Sequence, residues 1–287
     1  MTAKQKITVV GKNNFPAILK EIHDPPEQLY VWGEIPDMPM LAVVGTRKAS
    51  PYGKQITPRL VQKLSRAGLC IISGLAYGID ALAHETALEA GGTTVAVLGS
   101  GLDRKSLYPR DHWRLAERIV ERGGAVISEY PEGTTPERFH FPARNRIVAG
   151  MSRGVLVVEA PEKSGALITA DLAMQYDRDV FCIPGPITSP NSSGTNHLIQ
   201  LGAKLVMNTD DILEEFGIVP VAKNETEITA LPETHQKILT FLSEGQKHVD
   251  EILVGTGLDI TMCNVGLMEL ELSGHIKNLG GGLYAKS

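Results

Sequence analysis

"GVLVVEAPEKSGALITADLAMQY" (154–176) decides the fold. Its opening run, "GVLVVEA" (154–160), is apolar, rich in valine and too short for a helix, as expected of a buried strand. "APEKSGA" (160–166) is a turn, and from Ala166 to Tyr176 apolar residues fall three and four apart, as on one helix face. The same strand–turn–helix unit recurs along the chain. Further runs are "LAVVG" (41–45), "LCIIS" (69–73), "TVAVLG" (94–99), "AVIS" (125–128), "DVFCIPG" (179–185) and a weak "KLVMN" (204–208). Helical spacing is found in Gln55–Ala67, Ile79–Ala90, His112–Arg122 and Thr209–Phe216. Apolar strands alternating with helices predict an α/β fold, a parallel sheet covered on both faces, over residues 40–217.

Two flanks break the pattern. Residues 1–39, with "FPAILKEIHDPPEQLYVWGEIP", read as a short helix and a proline-rich connector, an N-terminal extension outside the sheet with too little for its own core. Residues 218–230, "IVPVAKNETEITA", read as a linker. Beyond it, residues 231–287 predict helices over Pro232–Leu242, Val249–Val254 and Ile260–Leu272 and a glycine-turned hairpin in "HIKNLGGGLYAKS", the element order of a winged helix.

The 287 residues carry a formal net charge of −5, which argues against general coating of nucleic acid or membrane but permits a local basic groove. The arginines all lie between Arg47 and Arg178, in the middle of the chain. Cys70, Cys182 and Cys263 stand in apolar or helical contexts with no ligand spacing, so core packing in a reducing cytoplasm is expected, with no metal. The first residues hold no apolar run long enough for a signal peptide or a membrane span.

In an open parallel sheet, ligands sit beyond the carboxyl ends of the strands. The loops there are "GTRKASPYG" (45–53), "SGLAYGID" (73–80), "GSGLD" (99–103), "SEYPEG" (128–133), "APEKSGA" (160–166) and "PGPITSPNSSGTN" (184–196). Glycine beside serine or threonine lets backbone N–H groups approach an anion, and the following helix N-terminus favours negative charge. Each loop alone could be only a tight turn, with Asp80 favouring the helix dipole. Together on one rim they suggest a phosphate cradle. A G-x-G-x-x-G dinucleotide loop, a P-loop and the common hydrolase and zinc motifs are absent.

"FHFPARNRIVAG" (139–150) starts a helix on that rim, with Pro142 near its start. Arg144 and Arg146 in the first turn oppose the helix dipole unless an anion offsets them, and guanidinium forks match phosphate oxygens. Phe139, His140 and Phe141 could offer faces to unpaired bases. The alternative is that both phenylalanines are core and the arginines pair with Glu129, Glu132 or Glu159.

These blocks resemble the DNA-processing protein A (DprA/Smf) family. The matching motifs are "VGTR" (44–47), "SGLAYGID" (73–80), "VAVLGSGLD" (95–103), "YP" (108–109), "GAVISEYPEG" (124–133), "FPARNRIVAGMS" (141–152), "VVEAPEKSGALITA" (157–170) and "PGPITSPNSSGTNHLIQLGA" (184–203). The resemblance runs over about residues 15–217 and more weakly into the tail, and "DPPEQLYVWG" (24–33) also fits. It implies an extended Rossmann-like domain that forms a homodimer, needs no cofactor and is not an enzyme. Such a protein binds incoming single-stranded DNA and loads the RecA recombinase onto it in natural transformation. Phosphates would be held by Arg47, the Ser73–Gly74 turn, Arg144, Asn145, Arg146, Lys163, Ser164 and Gly165, with Phe141 against a base. Gly45, Thr46, Ser50, Leu75, Ala76 and Gly78 complete the expected set. The helical domain that precedes the sheet in many members is expected to be absent or reduced to its last piece.

The tail departs from a DNA-reading winged helix. Residues 231–287 carry seven acids (Glu233, Glu244, Asp250, Glu251, Asp259, Glu269, Glu271) against four lysines (Lys237, Lys247, Lys277, Lys286), and "ITMCNVGLMELEL" has no basic residue. A duplex reader needs cations to displace counterions, so a protein-contact or dimer-supporting module is expected. The rival function is a nucleotide or phosphoribosyl hydrolase on a related scaffold. Its P-G-G-x-G-T motif is not matched by "EKSGALITAD", which lacks the paired glycines and puts Asp171 where a general acid is not expected.

Overall fold

The computed structural model describes residues 6–218, 232–272 and 275–286 and divides into two units, residues 1–220 and 221–287. In the first, strands β1 (Ile7–Gly11), β2 (Gln28–Gly33), β3 (Met40–Val44), β4 (Cys70–Ser73), β5 (Thr94–Leu98), β6 (Ala125–Ser128), β7 (Gly154–Val157), β8 (Asp179–Cys182) and β9 (Lys204–Leu205) form one sheet. Its order is β1-β2-β6-β5-β4-β3-β7-β8-β9. From β6 to β9 every pairing is parallel. The helices are α1 (Ala17–Lys20), α2 (Pro51–Arg66), α3 (Ile79–Glu89), α4 (Trp113–Glu121), α5 (His140–Gly150), α6 (Gly165–Gln175), α7 (Ser193–Gln200) and α8 (Asp210–Leu213). One face of the sheet packs on α1, α5, α6 and α7, the other on α2, α3, α4 and α8. Both faces of the central strands are therefore dry, which is why they read as unbroken apolar runs.

Residues 1–39 depart from the sequence expectation. β1 and β2 pair antiparallel, and β2 then pairs antiparallel with β6, so this segment extends the sheet. Phe15, Leu19, Ile22, Leu29 and Val31 are buried in the main core. The two strands are joined by a turn and the four-residue α1 rather than by a crossover helix, so they lack the spacing that marks the other strands. α2 also begins earlier than its apolar spacing suggests, at Pro51. The Ser50 hydroxyl caps it by accepting the Gly53 amide at 3.2 Å, and Pro51 sits where a missing donor costs nothing.

The second unit holds α9 (Glu233–Phe241), α10 (Val249–Thr256) and α11 (Ile260–Leu272), with β10 (Lys247–His248), β11 (Ile276–Gly280) and β12 (Leu283–Lys286) in a sheet of order β10-β12-β11. Ile238, Leu239, Leu242, Ile252, Cys263, Leu267, Leu270 and Ile276 make its core. This is the winged-helix order expected from the sequence. The expected linker lies, beyond Ile218, outside the described residues.

The packing can be tested at two buried positions. Leu29→Ala should cost roughly 2–5 kcal/mol in urea unfolding, as deletion of a core leucine does; a loss below about 0.5 kcal/mol would be the mark of a surface connector. His84 on α3 is fully buried, its Nδ1 2.7 Å from Thr94 Oγ1, which donates to the Ile71 carbonyl at 2.6 Å. Burial, then His112 and Arg144, push its imidazole from 6.5 down to about 3. The unfolded chain takes up this proton below about pH 6.5 and the folded one does not, so stability falls as pH drops from there towards 3, by about 1.4 kcal/mol per pH unit. His84→Gln should flatten that slope; an unchanged slope would contradict it.

Candidate functional site

β3 and β7 are neighbours, yet the chain leads from β3 to β4 and β5 on one side and from β7 to β8 and β9 on the other. Connections that diverge from adjacent strands leave a crevice at their carboxyl ends. A cavity of about 530 Å³ opens there. Its lining includes Gly45, Thr46 and Arg47 after β3, Gly74 and Ala76 after β4, and Arg138 ahead of α5. Phe141, Arg144 and Asn145 come from α5, and Lys163, Ser164 and Gly165 lead into α6.

Local backbone geometry places Arg47. The Thr46 amide donates to the Glu159 carbonyl at 2.7 Å, and the Ile79 amide to the Thr46 carbonyl at 3.2 Å. Gly78 has φ +80°, and a Cβ there would stand 2.3 Å from the Thr46 carbonyl oxygen and 2.8 Å from that of Arg47. Only glycine lets the β3 and β4 loops approach so closely. Leu75, fully buried, holds φ +56°, a left-handed conformation that costs a branched residue about 1–2 kcal/mol. The loop around it is thus held by its surroundings rather than by local preference.

In the loop after β4, amides expected to cradle phosphate are already engaged. The Asp80 carboxylate accepts from the Gly74 amide at 3.1 Å and the Ala76 amide at 3.4 Å. Arg144 Nη1 donates to the Gly74 carbonyl at 2.7 Å and to the Val97 carbonyl, and its Nε donates to Asn145 Oδ1 at 3.2 Å. Burial raises the Asp80 carboxyl, with Arg144 and the amides pulling the other way. Burial likewise lowers the Arg144 guanidinium to about 10, against the pull of Asp80, so it stays charged at neutral pH. At the start of α2 the buried Glu159 carboxylate accepts from the Ser50 amide at 3.0 Å and the Ser50 hydroxyl at 2.5 Å. It fills the anion position that a helix N-terminus offers.

What remains for a ligand is the rim. Arg47, Arg138 and Lys163 are exposed and have no carboxylate partner among the described residues. The Arg47 guanidinium lies over the Phe141 ring, 5.4 Å from its centre. Ser164 caps α6 by accepting the Ala166 amide at 3.3 Å, and Asn145 Nδ2 donates to the Gly165 carbonyl at 3.1 Å, tying the Lys163 loop to α5. The site is a concave surface with fixed walls, and these three cations stand at its edge.

The expected residues therefore divide. Gly45, Thr46, Arg47, Gly74, Ala76, Phe141, Arg144, Asn145, Lys163, Ser164 and Gly165 line the cavity. Ser50, Ser73, Leu75, Gly78 and Arg146 do not. Ser50 caps α2, Gly78 and Leu75 shape the loop, and the buried Ser73 hydroxyl donates to the Val43 carbonyl at 2.6 Å. Arg146 is the clearest correction: Nη2 pairs with Glu129 at 2.5 Å and Nη1 donates to the Asp24 carbonyl. It clamps the N-terminal segment to α5, which the sequence alternative of an arginine–Glu129 pair describes. Arg144 lines the cavity wall but is buried, so it is not the free phosphate fork expected of it. Arg138 is the rim cation that sequence reasoning missed. It closes "EYPEGTTPER", two residues before α5, and the signal was its standing as that loop's sole cation. Among the described residues no cluster of His, Cys, Asp and Glu could hold a metal, and no single helix is long and apolar enough to cross a membrane.

The family model for DNA recombination-mediator protein A matches residues 6–217, and the DprA winged helix domain matches residues 222–282. The DNA processing protein DprA of Streptococcus pneumoniae is 48% identical over 204 residues, 70% of this chain and 71% of its own length. Protein Smf of Escherichia coli is 40% identical over 280 residues, 93% of this chain and 74% of its own. The X-ray structure of the Streptococcus pneumoniae DprA covers 74% of this chain and 75% of that chain at 46% identity, with a TM-score of 0.69. The solved structure of Helicobacter pylori DNA processing protein A, described for its single-stranded DNA binding mode, covers 74% of this chain and 96% of that chain at 32% identity, with a TM-score of 0.67. The match begins at residue 6, where β1 enters the sheet, and runs through both units: the chain belongs to the DNA recombination-mediator protein A (DprA/Smf) family.

Proposed function

We propose that this chain binds single-stranded DNA across the β3–β7 crevice, shields it, and delivers it to the RecA recombinase in recombination and natural transformation, as a homodimer without catalytic activity. The observation that carries the reading is the trio of exposed cations, Arg47, Arg138 and Lys163, around a cavity that also presents Phe141. Side-chain cations hold phosphates whatever the sequence, and an aromatic face stacks any unpaired base. A duplex keeps its bases stacked inward and offers Phe141 nothing. The neighbour from Helicobacter pylori, described for its single-stranded DNA binding, supports the choice of ligand. Transfer to RecA rests on the family's character as a recombination mediator. Homodimer formation draws support from Leu201, Leu205 and Met207, exposed on and around the edge strand β9.

The carboxylates at and near the cavity are not placed for catalysis. Asp80 at the cavity is held by two amides and lies in the field of Arg144, and the exposed Asp171 on α6 stands outside the lining. A general acid must reach the bond it protonates with a proton free to give. In the second unit, α11 exposes Ile260, Met262, Val265 and Met268, a surface suited to protein contact rather than to a phosphate backbone.

Salt titrations of oligothymidylate binding test the reading. Arg47→Ala, Arg138→Ala and Lys163→Ala should each weaken binding, and each should reduce the slope of log K against log salt by about 0.7, the value for one phosphate no longer neutralised. A folded triple variant with the wild-type slope would contradict the site. Arg144→Met should instead strand the buried Asp80 charge and lower stability by about 3–5 kcal/mol; a variant as stable as wild type would refute its structural role. Duplex affinity of the full chain and of a chain ending at residue 218 should agree within about twofold, as expected where the winged helix adds no counterion release. Loss of duplex binding on truncation would give the winged helix a DNA-reading role.

A further inference from the structure

The aromatic surface does not stop at Phe141. The Tyr108 ring stands with its centre 5.8 Å from that of Phe141, tilted by 56°. Beside it, Tyr77 closes a small cleft whose walls include Arg47 and Phe141, which also line the larger cavity, so the two spaces adjoin. Both tyrosines are 40% exposed, whereas Trp32 and Tyr176, which serve the core, are below 10%. Tyr77 is nevertheless held: its hydroxyl donates to Asp111 Oδ2 at 2.9 Å and its ring meets His112 edge-on at 4.9 Å. His112 Nδ1 in turn lies 2.8 Å from the Leu75 carbonyl oxygen, which belongs to the strained loop behind the cavity. A tyrosine kept for packing buries its ring. Tyr77 is braced by Asp111 and His112 and Tyr108 rests against Phe141, yet both stay 40% exposed, so a planar ligand could stack on them with limited loss of side-chain freedom.

We infer that Tyr77 and Tyr108 form a second nucleobase subsite, receiving the bases that follow the one on Phe141 as the strand leaves the cavity over the loop after β5. This rests on the single-strand reading above and adds a direction to it. The exposed Arg104, Lys105 and Arg110 on the same loop would accompany the backbone along that path. The acids interspersed there are engaged: Asp103 accepts amides from Lys105, Ser106 and Gly133, and Asp111 accepts the Tyr77 hydroxyl. Stacking is indifferent to base identity, so the subsite takes any unpaired base and lengthens the footprint without adding sequence preference.

The test compares oligothymidylate with an abasic deoxyribose-phosphate oligomer of equal length and charge, using the full chain. Tyr77→Ala and Tyr108→Ala should each weaken oligothymidylate binding roughly tenfold while changing abasic binding less than about twofold. Tyr108→Phe should keep wild-type affinity, since the ring face is what counts, whereas Tyr77→Phe, which also releases Asp111, should fall between wild type and Tyr77→Ala. Equal losses on both oligomers would reduce the tyrosines to backbone contacts, and no loss on either would remove the subsite; both outcomes overturn the inference. Arg47→Ala separates this failure from failure of the wider reading, because it should weaken both oligomers regardless of what the tyrosines do.

Discussion

A carboxylate and a guanidinium buried behind the same loop, Asp80 and Arg144, constrain everything else about the crevice. Asp80 closes the loop after β4 on itself by taking its amides, and Arg144 ties that loop and the end of β5 to α5. Removing two charges from water is costly, and the pair offsets that cost through the amides on Asp80, the carbonyls on Arg144 and the attraction between the two charges. Its consequence is chemical as well as structural. Amide donors that would otherwise bind an anion are neutralised from within, and Glu159 does the same at the start of α2. At these two loops the amides are closed to a ligand, so its charge is met there by side chains standing outside them.

Arg47, Arg138 and Lys163 are the groups left in that position. Each comes from a different loop, and each loop is fixed by something already described: Gly78 and the Thr46 amide for the first, the α5 start for the second, Asn145 and the Ser164 cap for the third. The overall formal charge of −5 is no obstacle, because the cations are gathered at one concave place where low-dielectric walls focus their field. The N-terminal segment contributes from behind. Asp24 accepts Arg146 through its backbone carbonyl and the Tyr176 hydroxyl through its side chain at 2.6 Å, so α5 and α6 are braced by the same strand-to-strand connection.

Much of this was legible in the sequence and the exceptions have physical reasons. The parallel core strands were visible because burial on both faces makes them uniformly apolar, and the rim loops because glycine clusters mark close backbone approach. β1 and β2 were not, since an antiparallel pair at the end of the sheet needs no crossover helix and so lacks the strand–helix alternation that marks the other strands. Arg47 and Lys163 could be singled out as cations in glycine-bearing turns. Arg144 and Arg146 looked equivalent, two residues apart on one helix. That spacing points their side chains in different directions, one into the Asp80 pocket and one towards Glu129. Sequence spacing alone does not say which carboxylate folds back to meet them. Arg138 was passed over because it ends a polar loop whose path only the structure shows.

The central claim is that this family member meets DNA phosphates with side-chain cations while its own carboxylates keep the loop amides. A crystal structure of the chain with an oligothymidylate decides it. The account predicts phosphate oxygens within hydrogen-bond distance of Arg47, Arg138 and Lys163, with Asp80 still accepting the Gly74 and Ala76 amides. Phosphates seated on those amides, with Asp80 swung away and the three cations unengaged, would contradict it.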